Sequence, residues 1–193
     1  MELQDDKKIY FTSDLHFNHD REFVWKPRGF NSVNEMNDAI ISNWNNMITD
    51  DDIVYVLGDL MLGGPDKMED GLDLLRQLKG KIHVIIGNHD TDNRIDKYFE
   101  VDNIKSVNFG GRLKYRGRSF FLSHYPTEVS NLEASPYECV INLHGHTHSK
   151  SKFYDGKPYM YNVALDAHDN KPVLIDDILD DFYNEVKSCK EQL

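Results

Sequence analysis

Cysteine is nearly absent. Only Cys139 and Cys189 occur in 193 residues, too few for a disulfide framework and in keeping with a reducing compartment. Long apolar runs are missing too. No stretch approaches the roughly 18 residues a membrane span requires, and Met1 to Tyr10 is polar and charged, with no apolar segment of signal-peptide type. A cytoplasmic protein with no membrane partner is the expectation. Positive charge is also scarce: Lys plus Arg total 22 against 33 for Asp plus Glu, a formal net charge of −11. Such a field repels long nucleic acid unless a local basic stripe or bound cations reverse it. Nothing in the sequence sets an oligomeric state.

What is present is the composition of a soluble globular protein, 39% hydrophobic and 28% charged. The length accommodates one sizeable core, so residues 1–193 are expected to form a single domain. Strand and helix alternate in the first half. Strand-type runs at 8–13, 53–57 and 82–86 are separated by helical patterns at 33–48 and 66–79. Ser32 and Glu35 are spaced as a capping box, and Met36, Ile40 and Trp44 recur at helical spacing as core residues. That alternation predicts an α/β sheet. Beyond residue 104 the runs shorten. A hairpin is expected over 112–122 around Gly117-Arg118, and Arg112, Lys114 and Arg116 share one strand face, the pattern of a charged sheet edge. After a polar loop come strands near 140–144, 158–163 and 172–175. The final segment then sets Ile175, Ile178, Leu179, Phe182, Val186 and Cys189 on one helical face.

Several of the strand-type runs end in Asp, Asn or His, the side chains that ligate metals. Asp14 and His16 follow the first, Gly58-Asp59 the second, Gly87-Asn88-His89-Asp90 the third, His124 a later one, and Gly145-His146-Thr147-His148 the run that starts at Val140. In α/β sheets ligands gather beyond strand ends. Imidazole is the commonest side-chain ligand of transition metals, and an aspartate is short enough to bridge two ions about 3.5–4 Å apart. Nitrogen and oxygen donors without thiolate suit Mn, Fe, Zn, Co or Ni better than Mg. Small phosphorylated substrates, nucleotides among them, are the partners such a centre would take.

These five blocks, in this order, resemble the calcineurin-like metallophosphoesterase superfamily over nearly the whole chain. The Asp14-x-His16-Phe17-x-His19 opening, Asn43-Trp44-Asn45 and Tyr55-x-Leu57-Gly58-Asp59 are similar to small bacterial and phage members. The resemblance implies a four-layer α/β/β/α sandwich carrying two divalent transition-metal ions, Mn foremost. It implies that Asp14, His16 and His148 hold one ion, that Asn88, His124 and His146 hold the other, and that Asp59 bridges them. His89 would be the imidazole that steadies the phosphoryl oxygen or protonates the leaving group. The implied activity is phosphoester hydrolysis, diester before monoester, by attack of a hydroxide formed between the two cations.

Other residues are read from their placement. His19 and Arg28 are candidates for contacting substrate, Arg28 through bidentate phosphate recognition. His144 is expected in a supporting or buried role because it points away from its neighbours, and His83 and His168 are expected to be structural or at the surface. Asp90 is a candidate partner for His89. Leu60-Met61-Leu62-Gly63-Gly64 stands where protein phosphatases of the superfamily carry Asp-Arg-Gly, which argues against that activity, and no length remains for a nuclease capping domain. A scaffold that keeps the fold without turnover is the alternative from another class. A metallo-β-lactamase-type site is disfavoured, since Ser149-Lys150 follows His148.

Overall fold

A computed structural model of the protein describes residues 7–129 and 139–191. The polar loop expected before the Val140 run lies largely outside these residues, as does the side chain of Cys189. The elements run β1 (Ile9–Thr12), α1 (Glu22–Trp25), α2 (Val33–Met47), β2 (Ile53–Val56), α3 (Met68–Arg76), β3 (Lys81–Ile85), α4 (Asp92–Tyr98) and β4 (Ile104–Asn108). They continue with β5 (Gly111–Tyr115), β6 (Arg118–Leu122), β7 (Ile141–His144), β8 (Met160–Asn162), β9 (Val173–Leu174) and α5 (Ile175–Glu191).

The strands form a five-stranded sheet of order β4-β3-β2-β1-β9 and a four-stranded sheet of order β5-β6-β7-β8. β1 to β4 pair in parallel, as helical crossovers require, while β9 closes on β1 antiparallel. Strand alternation decides which side chain enters which core. Tyr10, Val54, Val56, Ile82 and Val84 pack with Met36, Ile40 and Trp44 of α2 and with Leu72 and Leu75 of α3. Their neighbours Phe11, Leu57 and Ile85 instead meet Phe120, Leu122, Ile141, Leu143 and Tyr161 of the second sheet. Into that same cluster α5 inserts Ile178, Phe182 and Val186. The result is an α/β sandwich of two sheets and helices.

Three local departures from the sequence pattern have identifiable causes. The helix expected over 66–79 is a 3-10 turn over Pro65–Lys67 followed by α3, which stops at Arg76. Carbonyls of its last turn and of the residues beyond it find partners elsewhere: Asn103 donates to the Leu75 carbonyl at 3.0 Å, Asn45 to Gln77 at 2.8 Å and the Trp44 indole to Lys79 at 2.8 Å. The hairpin turns at Arg116-Gly117, where both residues have positive φ (46° and 76°), the requirement of a two-residue hairpin turn that follows strand twist. Arg118 therefore starts β6, with its guanidinium over Phe182 and Tyr183. At α2, the Ser32 hydroxyl accepts from the Glu35 N–H at 3.1 Å, but the Glu35 carboxylate accepts from Asn31 rather than closing the box on Ser32. β5 forms one edge of the second sheet with Arg112 and Lys114 exposed. Among the described residues no helix is long and apolar enough to cross a membrane.

Candidate metal centre

The loops after β1, β2, β3, β6 and β7 converge at one end of the two sheets. The Asp14 N–H donates to the Gly58 carbonyl at 3.0 Å, His16 N–H to Asp59 at 3.0 Å and Gly145 N–H to His124 at 3.0 Å. The backbone is bent hard to do this. Asp14, His16, Asp59, His146 and His148 all have φ between 48° and 68°, a left-handed conformation that costs a non-glycine residue roughly 1–2 kcal/mol. Strain gathered in the turns after β1, β2 and β7 points to a functional site whose surroundings over-determine it. Close approach explains two glycines. A Cβ on Gly58 would lie 2.5 Å from His124 Nδ1 and 2.7 Å from Gly87 Cα, and one on Gly145 would collide with Ser13 and Asp14.

Asp59 stands at the middle. Its Oδ1 accepts from the His89 N–H at 2.8 Å. Its Oδ2 lies 3.7 Å from His16 Nε2, 3.6 Å from His124 Nε2 and 4.0 Å from His89 Nε2. On one side His16 Nε2 and His148 Nε2 are 3.2 Å apart, each 3.7 Å from Asp14 Oδ1. On the other, His124 Nε2 is 2.9 Å from Asn88 Oδ1, and the His146 ring packs 5.0 Å from that of His124. Asp14, His16 and His148 have ligand atoms within 4.8 Å of one another, as do Asp14, Asp59 and His124.

Hydrogen bonding fixes the tautomers. His124 Nδ1 is 2.7 Å from the Leu57 carbonyl, an acceptor only, so Nδ1 carries the proton and Nε2 presents a lone pair. His148 Nδ1 likewise donates to Asp166 Oδ2 at 3.0 Å, turning its Nε2 lone pair toward His16 and Asp14. Asp14 Oδ1 is buried with no hydrogen-bond partner, although Oδ2 accepts from His146 N–H at 2.9 Å. An unpartnered buried carboxylate oxygen facing imidazole lone pairs is a costly arrangement that cations would relieve. The donor set fits divalent transition metals. Burial alone would raise the Asp14 carboxyl, but the imidazoles of His16, His148 and His124 in their protonated forms outweigh it and hold it below the usual carboxylate range. Burial pushes His16 and His146 down, favouring the neutral form that ligates.

The remaining candidates take distinct places. His89 is 40% exposed on its side chain and lines a cavity of about 550 Å³ together with His16, His148, Asn88 and His146. His19 lines it too, its ring 5.2 Å from His16 and 6.2 Å from His89. Burial first, then those neighbouring imidazoles, drive its pKa down to about 4. Arg28 does not line this cavity. Its guanidinium forks onto Asp166 at 3.1 and 2.8 Å and donates to the carbonyls of Asp14 at 2.7 Å and Leu15 at 3.3 Å. Asp90 does not face the His89 ring: it accepts from the N–H groups of Asp59, Gly87 and Leu60 and from the Tyr98 hydroxyl, tying the β2 and β3 loops together. His144 is buried behind the turn with Nδ1 3.0 Å from the Gly145 carbonyl. His83 bonds Ser106, and His168 bonds the Asn162 carbonyl.

Asp166 is the residue that sequence reasoning missed. It sits in the 3-10 turn Leu165–Ala167 just after β8, so the strand-end rule that located the others applies to it. It braces His148 against Arg28. Burial opposes its charge, but the bonds from His148 and Arg28 prevail and lower its pKa.

Residues 7–187 match the calcineurin-like phosphoesterase family, and the chain belongs to that family. It is 36% identical over 174 residues to an uncharacterized protein of Methanocaldococcus jannaschii, covering 88% of each chain. It is 28% identical over 190 residues to the Gene 66 protein of Mycobacterium phage D29, covering 86% of this chain and 92% of the phage protein. A solved structure of a protein of unknown function from Aquifex aeolicus has the same fold, with a TM-score of 0.70 at 24% identity, covering 91% of this chain and 99% of that one.

Proposed function

We propose that this protein hydrolyses a small or exposed phosphoester, a phosphodiester in preference to a monoester and a nucleotide among the candidate substrates, using two divalent transition-metal ions. Mn is the first choice, with Fe, Zn, Ni or Co as alternatives. In this reading Asp14, His16 and His148 hold one ion, Asn88, His124 and His146 hold the other, and Asp59 is shared. The observation that carries it is the Asp59 carboxylate set between two groups of imidazoles, with Asp14 Oδ1 buried and unpartnered beside them. When bound, the ions supply Lewis acidity to the phosphoryl group and acidify a water nucleophile.

The chain's own residues do the rest. Asp166 and Leu57, by accepting the Nδ1 protons of His148 and His124, keep each Nε2 lone pair aimed inward. Asp90 fixes the loop that carries Asn88 and His89 against the one that carries Asp59. His89, open to the cavity yet anchored through its N–H to Asp59, holds a proton at Nε2 for the departing alkoxide. The acidic surface and the size of the cavity favour a compact phosphoester over a long nucleic acid. The scarcity of cysteine favours work in the cytoplasm.

The test is hydrolysis of a bis-aryl phosphate, an aryl phosphate and cyclic nucleotides by metal-free protein supplied with Mn, Ni, Co or Zn. His89→Ala is expected to retain metal and lose about 10²–10⁴-fold in kcat. Normal turnover in both His89→Ala and Asp59→Asn would refute the assignment, and ion uptake without turnover of any ester would favour the scaffold.

A further inference from the structure

One flank of the metal cavity is built unlike the rest. The short helix α1 buries Val24 and Trp25 but leaves Phe23 73% exposed, the second most exposed large hydrophobic side chain among the described residues. Phe23, Val24 and Pro27 line the same cavity as His16, His89 and His148. The Phe23 ring stands edge-on to His19 at 5.6 Å, and His19 in turn lies 5.2 Å from His16 and 6.2 Å from His89. A row of rings thus leads from solvent to the residues around Asp59.

The charge of this flank narrows what it can hold. None of the described residues lining the cavity is Lys or Arg. Arg28 is spent on Asp166 and two carbonyls, Arg94 donates to the carbonyls of His89 and Gly63, and Lys26 pairs with Glu22. The carboxylates that line it are engaged as well, Asp166 by Arg28 and His148, Asp59 by the His89 N–H. A second anionic group on the substrate would find no Lys or Arg side chain in the lining itself, Arg21 at the start of α1 standing outside it. A flat, uncharged group would find ring faces and edges.

We infer that α1 is the specificity wall of the site: the organic group of the phosphoester is a planar, uncharged aromatic ring seated against Phe23, with His19 at its inner edge. This rests on the hydrolase reading and adds the class of ester to it. Phe23 is a specificity-determining residue here, and its exposed position means that its replacement leaves the fold and the metal ligands in place.

The experiment compares phenylphosphonate with cyclohexylphosphonate as ligands of the Mn-loaded protein, with inorganic phosphate as reference, by isothermal titration. The two phosphonates carry similar charge and bulk but differ in ring planarity, and simple hydrophobicity favours the cyclohexyl compound. Aromatic pairing of ordinary strength raises the phenyl-to-cyclohexyl affinity ratio of the wild type about two- to twelvefold over that of a protein lacking the Phe23 ring, and this is the phenyl advantage to be read. Phe23→Ala is expected to abolish that advantage and Phe23→Tyr to keep it, with inorganic phosphate bound equally by all three proteins. A phenyl-to-cyclohexyl ratio that is the same in Phe23→Ala as in the wild type overturns the wall and leaves the hydrolase reading standing. Failure of inorganic phosphate to bind the Mn-loaded wild type overturns both.

Discussion

Arg28→Ala separates two roles for one residue. An arginine that grips substrate phosphate and one that braces a metal ligand predict different losses. The Arg28 side chain is 1% exposed and its partner Asp166 is 9% exposed. Removing the guanidinium strands a buried carboxylate with only His148 to answer it and deprives the Asp14 and Leu15 carbonyls of donors. Breaking a buried ion pair in this way costs about 3–5 kcal/mol. Loosening His148 through Asp166 is expected to weaken metal binding by about 10–100-fold. Arg28→Lys keeps the charge but loses the fork, and should fall between. The assay is urea unfolding of the metal-free protein, Mn titration, and KM for whichever ester is cleaved. The bracing role predicts lower stability and weaker Mn binding, with KM restored when Mn is saturating. Wild-type stability and Mn affinity with a raised KM would contradict the bracing role and return Arg28 to the substrate.

Asp90→Ala removes the acceptor for three N–H groups and the Tyr98 hydroxyl. Urea unfolding should show a loss of about 3–5 kcal/mol, against about 1–2 kcal/mol for Tyr98→Phe, and equal small losses would contradict the clamp. Asp52 accepts from Lys8 N–H at 2.9 Å and from Thr49 N–H and hydroxyl at 2.8 and 2.9 Å. Burial opposes its charge, but these bonds prevail and hold its pKa below the ordinary 3.8. A depressed folded pKa contributes stability that is fully present above the unfolded value and is lost as pH falls through the folded one. The gap in urea midpoint between wild type and Asp52→Asn should therefore be widest near neutrality and close below pH 3.8. A gap that stays constant into acid would contradict the assignment.

Much of this arrangement was legible because strand ends and left-handed turns leave marks in sequence. Asp14, Asp59, Asn88, His124, His146 and His148 each follow an apolar run, and glycines beside them announce tight backbone. The periodicity of α2 and α5 was equally plain. What escaped depends on contacts between distant segments. α4 has few apolar residues, and Tyr98 packs in the first core with its hydroxyl donating to Asp90, a partner no spacing reveals. α3 stops at Arg76, and the carbonyls of Gln77 and Lys79 beyond it are taken by Asn45 and Trp44 of α2, contacts that no local spacing reveals. Arg28 and Asp166 are 138 positions apart, so an isolated loop arginine offered no sign of its partner.

The proposed hydrolysis requires residues between positions 14 and 148 to seat a pair of cations about one carboxylate. Native mass spectrometry of metal-free protein reloaded with Mn counts them directly. Two ions per wild-type chain, and fewer in Asp59→Asn with its fold intact, is the predicted result. Absence of bound Mn in the wild type, or an undiminished count in Asp59→Asn, would contradict it.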